Sequence, residues 1–276
     1  MSRYAIDATP LLLRSAGIKN YLHHLISHLA AERGGDEILV YPFLDLPGAL
    51  DHDRSVAGRA GTAWRILSLY LSRLGVPLID WAYGERCDLF HASLHVNHPP
   101  KRPRLTATVY DMTCWLVPET HTRANVRATQ EFGDAVMRRA DGLIAISEAT
   151  KRDAIRILGI DDQTIRVIYP GVIDAFFGAG PEEVERATQA YRLKKPYLLY
   201  VGALEPRKNI GRLLDAWELL PRDIREEYEL VAAGQMGWHS EALRARLAEP
   251  GKGWRYPGYV EESLLPGLTA GGEVTV

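Results

Sequence analysis

Short runs rich in β-branched and aromatic residues alternate along this chain with longer runs of helical periodicity. In the first part, β-rich runs occupy residues 4–7, 38–41, 89–91, 106–110, 143–146 and 166–168. The clearest helical run spans residues 18–32, where apolar side chains recur at helical spacing and form one stripe. This alternation is typical of βαβ units built on a parallel sheet. It predicts an α/β fold.

The sequence also predicts where one helix and one domain end. Ser147 precedes a helical run as a candidate N-cap, and Gly159 follows it as a candidate C-terminal stop. Residues 175–181 (AFFGAGP) carry the Gly and Pro that mark a domain boundary. We therefore expect domains at residues 1–178 and 179–276.

A second α/β pattern follows that boundary. Expected strands lie at residues 197–201, 230–233, 256–260 and 273–276, and expected helices at residues 210–220, at 240–247 and from residue 262. These residues are fewer than the roughly 150 that a doubly wound domain usually needs. The pattern predicts an incomplete second domain, with a small complete domain as the alternative.

Charge and cysteine content exclude several classes. Thirty-three Lys and Arg balance 35 Asp and Glu, so a nucleic-acid partner is not expected. The two cysteines lack zinc-type or CxxC spacing and fit a reducing, cytoplasmic compartment. We find no signal peptide and no apolar run of transmembrane length. A serine hydrolase and a P-loop enzyme are disfavoured, because neither GxSxG nor GxxxxGK[ST] occurs.

The strongest local signal is YLLYVGALEPRKNIGRLLDAW at residues 197–217. A strand leads to Gly202, a loop carries Arg207 and Lys208, and a helix starts near Asn209. A close backbone approach, free helix amides and two cations together form an anion site that suits a diphosphate. In the alternative interpretation Asn209 only caps the helix and one cation pairs with Glu205.

This segment resembles the donor-diphosphate loop of glycosyltransferase family 4. Residues 5–30, 108–119, 140–155 and 165–172 resemble, in order, the first strand with its glycine loop and helix, the central strand, and the end of the first domain of that family. The ordered set spans nearly the whole chain. The resemblance implies two Rossmann-like domains in the GT-B arrangement, with an acceptor-side first domain and a donor-side second domain that is incomplete.

The resemblance also implies roles for individual residues. Gly17, with Tyr21, is expected in a loop near the donor phosphate and the acceptor. Lys208 and Arg207 are expected to neutralise the leaving diphosphate, with Gly202 and Asn209 in the same donor site. Fixed cations stabilise that leaving group without a metal, so no metal or cofactor is expected.

Three further residues belong to the expected reaction centre. Tyr110 and Asp111, at the end of the central strand, are the candidate catalytic residues. His91 is a further candidate substrate contact at a strand end. Family members commonly carry His at the position of Tyr110, and a tyrosine donates a hydrogen bond without titrating near neutral pH.

Two further departures from the family pattern concern the second domain. Ala203 stands where a basic or hydroxyl residue is common after the loop glycine. The family's pair of glutamates, with seven residues between them, does not occur before Val276. We therefore expect a chain truncated before that pair and weakly active or inactive alone.

The implied activity is a retaining transfer of a hexose, with mannose suggested by the EPRKN loop and GDP-mannose as the donor. The acceptor would be a glycan or a lipid-linked glycan. One alternative is a non-catalytic nucleotide-sugar-binding remnant or interaction module. Another is a GT-B epimerase or phosphorylase.

Two segments have weaker interpretations. His91, His95 and His98 have helical metal-ligand spacing, but Pro99 and Pro100 disfavour a helix there, so no metal site is expected. Residues 63–74 (AWRILSLYLSRL) are apolar and carry Arg65 and Arg73. They form either a core-facing helix, the favoured interpretation, or a peripheral contact with a membrane or a lipid-linked acceptor.

Overall fold

The polypeptide divides into two units, each built on its own sheet. In this computed structural model, the structure describes residues 1–12, 17–42, 59–238 and 240–276. Unit 1 comprises Met1–Pro118 and Arg123–Pro170, and unit 2 comprises Glu119–Thr122 and Gly171–Val276. The main division therefore lies at residues 170/171, in the segment just before the sequence-based boundary at 178/179.

Unit 1 contains a six-stranded parallel sheet. Its strands are β1 (Arg3–Asp7), β2 (Glu37–Tyr41), β3 (Leu89–Ala92), β4 (Arg104–Val109), β5 (Gly142–Ala145) and β6 (Ile165–Val167), and its helices are α1 (Gly17–Glu32), α2 (Arg59–Arg73), α3 (Leu78–Tyr83), α4 (Thr113–Leu116), α5 (Arg123–Ala135) and α6 (Glu148–Leu158). The strands lie in the order β2-β1-β3-β4-β5-β6, and every neighbouring pair is parallel. Parallel neighbours need crossover connections. Helices supply them except between β3 and β4, where residues 93–103 contain no helix.

The strands of unit 1 bury both faces of the sheet. In β1, Ile6 packs with Leu22 and Ile26 of α1, whereas Ala5 packs in a separate cluster with Phe90 and Ala107. Successive strand residues point to opposite faces, so apolar residues at consecutive positions need cover on both sides. The result is a doubly wound sheet.

Unit 2 repeats this architecture on a smaller scale. Its strands are β7 (Tyr197–Val201), β8 (Glu229–Ala233), β9 (Trp254–Gly258) and β10 (Val274–Thr275), and its helices are α7 (Pro181–Ala190), α8 (Ile210–Leu219), α9 (Arg222–Glu227), α10 (Glu241–Leu247) and α11 (Leu265–Ala270). The strand order is β10-β7-β8-β9, again all parallel. Leu199 and Val231 pack on one face, while Tyr200 and Leu230 pack on the other.

The structure confirms the predicted α/β fold and the predicted signals around α6. The Ser147 hydroxyl accepts a hydrogen bond from the Thr150 amide at 3.1 Å. Gly159 ends the helix in the left-handed conformation, with φ 66°. Residues 93–98 are not helical, as Pro99 and Pro100 predicted.

The favoured interpretation of residues 63–74, a core-facing helix, is wrong. These residues form most of α2, yet Trp64, Leu67 and Tyr70 are exposed. Helical periodicity identifies residues that share a face, but it does not tell which face the rest of the chain covers. The side chain of Arg73 lies outside the described residues.

Both cysteines are buried inside unit 1 as free thiols. The Cys87 thiol donates a hydrogen bond to the Tyr83 carbonyl at 3.3 Å. Burial, reinforced by the charge of Asp88, raises the pKa of Cys87 to about 11. This thiol is therefore protonated at neutral pH.

Candidate functional site

Several polar side chains of unit 1 lie at the point where the order of successive strands in the sheet changes direction. The chain proceeds from β1 to β2 on one side and then returns to β3 on the other side of β1. In open α/β sheets, ligands bind outside the carboxyl ends of the strands at such a switch point. Asp7, at the end of β1, and Ser93, directly after β3, lie at this point.

Asp7 connects the carboxyl ends of β1 and β3 through hydrogen bonds. Its fully buried carboxylate accepts hydrogen bonds through Oδ1 from the amide of Thr9 at 3.0 Å and from its hydroxyl at 2.6 Å. Through Oδ2 it accepts the Ser93 amide at 3.0 Å and the Ser93 hydroxyl. Four donors thus hydrogen-bond to this buried carboxylate, and they fix the position of both loops.

The beginning of α1 faces this edge of the sheet through Tyr21. The Tyr21 hydroxyl lies 3.4 Å from the Thr108 hydroxyl, and its ring meets that of Tyr110 edge to face with centroids 5.4 Å apart. Lys19 is fully buried. Gly17 is exposed, and a Cβ built there would meet no described atom within 4 Å. Residues 13–16 of the expected glycine loop lie outside the described residues.

Tyr110 and Asp111 follow β4 at the same edge but differ in environment. The Tyr110 hydroxyl oxygen is buried and has no hydrogen-bond partner among the described residues. Burial, followed by the influence of Tyr21 and Asp7, holds the pKa of Tyr110 well above its usual range. The exposed Asp111 accepts hydrogen bonds from the Thr113 amide at 2.9 Å and from the Thr113 hydroxyl at 2.5 Å. Thr113 is the first residue of α4.

His91 lies beneath these groups on β3 rather than at the surface. Its Nδ1 is 2.9 Å from the Thr106 hydroxyl and its Nε2 is 3.0 Å from the Thr108 hydroxyl. Burial lowers the pKa of His91 to about 4, so the ring is neutral at pH 7. Because both ring nitrogens are engaged, this geometry favours His91 as a support for Thr108, and its predicted contact with substrate stays a prediction.

In unit 2, the turn after β7 is held by close backbone packing. The Gly202 amide donates to the Ala233 carbonyl at 2.9 Å. Gly234 has φ 143°, and a Cβ there would lie 1.9 Å from the Gly202 carbonyl oxygen. A Cβ at Gly202 would meet the Tyr200 hydroxyl at 2.7 Å. The two strand-end loops therefore pack against each other because Gly234 has no Cβ, and the absence of a Cβ at Gly202 leaves room for the Tyr200 hydroxyl.

The two cations of this turn have different surroundings. Arg207 Nη2 lies 2.5 Å from Oε1 of the buried Glu205, and the buried Arg207 Nε has no hydrogen-bond partner in the described part of the chain. Lys208 is exposed, and no ion pair is seen for it within the described ranges. The pairing of a cation with Glu205, offered above as an alternative, therefore occurs at Arg207, but Glu205 is buried rather than at the surface.

Asn209 joins a 3-10 turn, Pro206–Lys208, to α8. Its backbone is left-handed, with φ 56°, and its side chain makes no capping hydrogen bond, so the side-chain cap considered above is absent. Instead, its carbonyl accepts the Arg212 amide at 3.1 Å. The first amides of a helix lack partners within the helix and carry partial positive charge. Lys208 and these amides together favour an anion.

The sequence interpretation did not identify Asp7, Ser93 and Thr108 as part of the site. Each lies in or directly after a parallel strand, which is the signal that would have indicated them. Within residues 1–12, 17–42, 59–238 and 240–276, no cluster of three His, Cys, Asp or Glu side chains lies where it could hold a metal ion.

Comparisons with known proteins agree with this architecture. Residues 15–176 match the model of Glycosyltransferase Family 4, and residues 181–274 match that of Glycosyl transferases group 1. O-antigen chain mannosyltransferase B of Escherichia coli is 28% identical over 275 residues, which cover 95% of this chain and 72% of that protein.

Solved structures show the same fold at low identity. Anabaena Alr3699/HepE in complex with UDP-glucose superposes with a TM-score of 0.65 at 17% identity, covering 100% of this chain and 73% of that one. UDP-GlcNAc 2-epimerase from Neisseria meningitidis, bound to UDP-GlcNAc, gives a TM-score of 0.54 at 13% identity, covering 99% and 76%. These likenesses define the fold, which transferases and epimerases share.

Proposed function

The chain belongs to Glycosyltransferase Family 4, and from that premise we propose that it transfers mannose from a nucleotide diphosphate sugar, GDP-mannose, to a glycan or lipid-linked glycan. The choice of mannose is supported by the Escherichia coli relative, which is named a mannosyltransferase. The choice of a nucleotide-sugar donor is supported by the UDP-glucose complex among the structural neighbours. Transfer with retention of configuration is part of the proposal.

The donor diphosphate binds at the turn between β7 and α8. The observation that carries this assignment is Lys208, an exposed cation beside a helix start, without an ion pair among the described residues. Breaking the sugar–phosphate bond leaves negative charge on the diphosphate, and a fixed cation with helix amides stabilises that charge. Arg207, anchored by Glu205, adds positive potential with less freedom to move.

The acceptor binds at the switch point of unit 1. A Cβ at Gly17, the first residue of α1, would meet no described atom within 4 Å, and Asp111 presents an exposed carboxylate after β4. The unpaired Tyr110 hydroxyl donates a hydrogen bond to a hydroxyl of the sugar. A phenol suits that task because it stays neutral at physiological pH. No metal or cofactor is part of the proposal.

The test removes the exposed cation and leaves the fold alone. We expect Lys208→Ala to weaken GDP binding, measured by titration calorimetry, by about tenfold or more, since charge-assisted hydrogen bonds contribute roughly 1.5–3 kcal/mol. Lys194→Ala, an exposed lysine elsewhere in unit 2, is the matched control and should bind as the unaltered chain does. Equal affinity in all three proteins would remove the donor site from this turn.

A transfer assay then separates the enzyme from its alternative. Incubation with radiolabelled GDP-mannose and a mannan acceptor should label the acceptor, and Asp111→Asn should abolish the label while GDP binding persists. Binding without any label in the unaltered chain would support the non-catalytic, nucleotide-sugar-binding alternative instead.

A further inference from the structure

One face of β4 carries hydroxyl side chains within a sheet that is covered on both sides. Thr106 and Thr108 alternate along the strand with Leu105 and Ala107, which belong to the apolar core. The neighbouring strand β3 places the buried His91 opposite Thr106. Burying a hydroxyl or an imidazole is costly unless it is hydrogen-bonded. Valine has nearly the shape of threonine without that cost, so packing alone does not account for this polar row.

Hydrogen bonds join the polar row into one chain that ends on α1. His91 lies between the Thr106 hydroxyl, 2.9 Å from Nδ1, and the Thr108 hydroxyl, 3.0 Å from Nε2. The Thr108 hydroxyl in turn lies 3.4 Å from that of Tyr21. A neutral imidazole donates at one nitrogen and accepts at the other, so the ring links both threonine hydroxyls. We call this set the β4–α1 chain: Thr106, His91, Thr108 and Tyr21.

Tyr21 connects the β4–α1 chain to Tyr110. Their rings meet edge to face, with centroids 5.4 Å apart. The Tyr110 hydroxyl is buried and has no hydrogen-bond partner among the described residues. An unsatisfied buried hydroxyl is costly, and a ligand hydroxyl that accepts a hydrogen bond from it removes that cost. The direction in which the Tyr110 phenol points therefore matters for binding, and the contact with Tyr21 restricts it.

We propose that the β4–α1 chain is a positioning device, which holds the Tyr21 ring so that the Tyr110 hydroxyl meets a hydroxyl of the acceptor sugar. In this assignment His91 acts through Tyr21 rather than by touching substrate. Misplacing a substrate-orienting group by about 1 Å can cost on the order of 100-fold in rate. The inference rests on the proposed function, because the acceptor site at the switch point of unit 1 is part of that function.

The first experiment measures transfer from GDP-mannose to mannan. Thr108→Val removes the central hydroxyl, and we expect kcat to fall about tenfold or more while GDP binds as before. Thr108→Ser keeps the hydroxyl and should retain most of kcat. Adding Tyr21→Phe to Thr108→Val should cause little further loss, because both changes break the same chain. Thr269→Val removes a hydroxyl that donates to the Leu265 carbonyl in unit 2, and it should leave kcat unchanged.

The second experiment follows the ring nitrogens of His91 by nitrogen NMR and needs no turnover. The signals of His91 are assigned by their loss in His91→Gln. Tyr21→Phe should shift the Nε2 signal, since the change passes through the Thr108 hydroxyl, whereas the control Tyr197→Phe in unit 2 should not. Mannotriose, the acceptor probe, should shift the same signal in the unaltered chain and not in Thr108→Val.

The two experiments separate this inference from the proposed function. Full kcat in Thr108→Val, additive losses in the double variant, or an Nε2 signal that Tyr21→Phe leaves in place overturns the inference even where transfer is observed. Absence of transfer by the unaltered chain contradicts the proposed function instead, and the mannotriose titration then decides the inference. If circular dichroism shows that Thr108→Val does not fold, Tyr21→Phe takes its place in both experiments.

Discussion

The two candidate binding regions both lie at the carboxyl ends of parallel strands, but their polar side chains have different surroundings. At the switch point of unit 1, Asp7 and His91 are buried, and their hydrogen bonds are made within the unit. At the β7–α8 turn of unit 2, Lys208 is exposed and free of ion pairs among the described residues. In the first region, hydrogen bonds between polar groups fix the positions of the strand ends and loops, whereas the second region presents a positive charge to solvent.

Each region also contains one residue whose hydrogen bonding or ion pairing departs from that of its neighbours. Tyr110 brings an unsatisfied hydroxyl into the otherwise satisfied edge of unit 1. Arg207 is held by the buried Glu205 in the otherwise open turn of unit 2. The comparison therefore applies to individual side chains, and substitutions can test it one residue at a time.

The largest effect is expected at Asp7, because its removal leaves four buried donors without an acceptor. We expect Asp7→Ala to lower the free energy of unfolding by about 3–5 kcal/mol. Asp161→Ala is the control: this exposed carboxylate accepts the Gln163 amide at 2.9 Å, and its loss should cost about 1 kcal/mol or less. Urea denaturation measures both, and similar costs would contradict a special role for Asp7.

A loss of about 3 kcal/mol is expected for Arg207→Ala, since the buried carboxylate of Glu205 would lose its cation. Lys208→Ala, next in sequence, should change the free energy of unfolding by no more than about 0.5 kcal/mol. Thermal and urea unfolding of both variants compare the two cations directly. If Arg207→Ala is as stable as Lys208→Ala, the neighbouring cations do not differ in role.

A pH-dependent effect is expected at His91. Burial lowers the pKa of the folded imidazole to about 4, below the 6.5 of the unfolded chain. Above pH 6.5 both states are neutral; between pH 6.5 and 4 only the unfolded chain gains the proton, so stability falls as the pH falls. From pH 7.5 to 4.5 this loss amounts to roughly 2–3 kcal/mol.

The measurement compares the unaltered chain with His91→Gln at both pH values. The advantage of the unaltered chain should shrink by that amount at pH 4.5. His98→Gln removes an exposed histidine and serves as the matched control substitution. A parallel pH dependence in all three proteins would mean that His91 is not held neutral by burial.

The smallest effect is expected for Tyr110→Phe, because the lost hydroxyl has no partner in the described part of the chain. The free energy of unfolding should stay within about 0.5 kcal/mol or rise. Tyr197→Phe is the contrast, since its buried hydroxyl donates to the Leu268 carbonyl at 2.7 Å and should cost about 1 kcal/mol. Transfer activity should fall only for Tyr110→Phe; a destabilised Tyr110→Phe with full activity would refute both assignments.

Local signals in the sequence predicted most of the fold. Ser147 and Gly159 bounded α6 correctly because a cap and a left-handed glycine act within a few residues. The short α9 was not predicted, since six residues, with Pro221 before them, carry too little periodicity. The outward apolar side of α2 was mistaken for a core surface, because burial depends on what the rest of the chain covers.

The candidate site was less predictable, since contacts between distant residues build it. Asp7 and Ser93 are 86 positions apart, and only the adjacency of β1 and β3 brings them together. At the β7–α8 turn, the sequence indicated the two cations but not which of them forms an ion pair. The pairing of Arg207 depends on the burial of Glu205, which the local sequence does not reveal. The assigned roles of Tyr110, Asp111 and Lys208 stay predictions.

The burial of both native thiols has a practical consequence for chemical labelling. Cys87 and Cys114 are shielded, and the thiolate of Cys87 is scarce at neutral pH because its pKa is about 11. Maleimides react with exposed thiolates. A single cysteine introduced at a solvent-facing position would therefore accept a spin label or fluorophore selectively, with no need to replace either native cysteine.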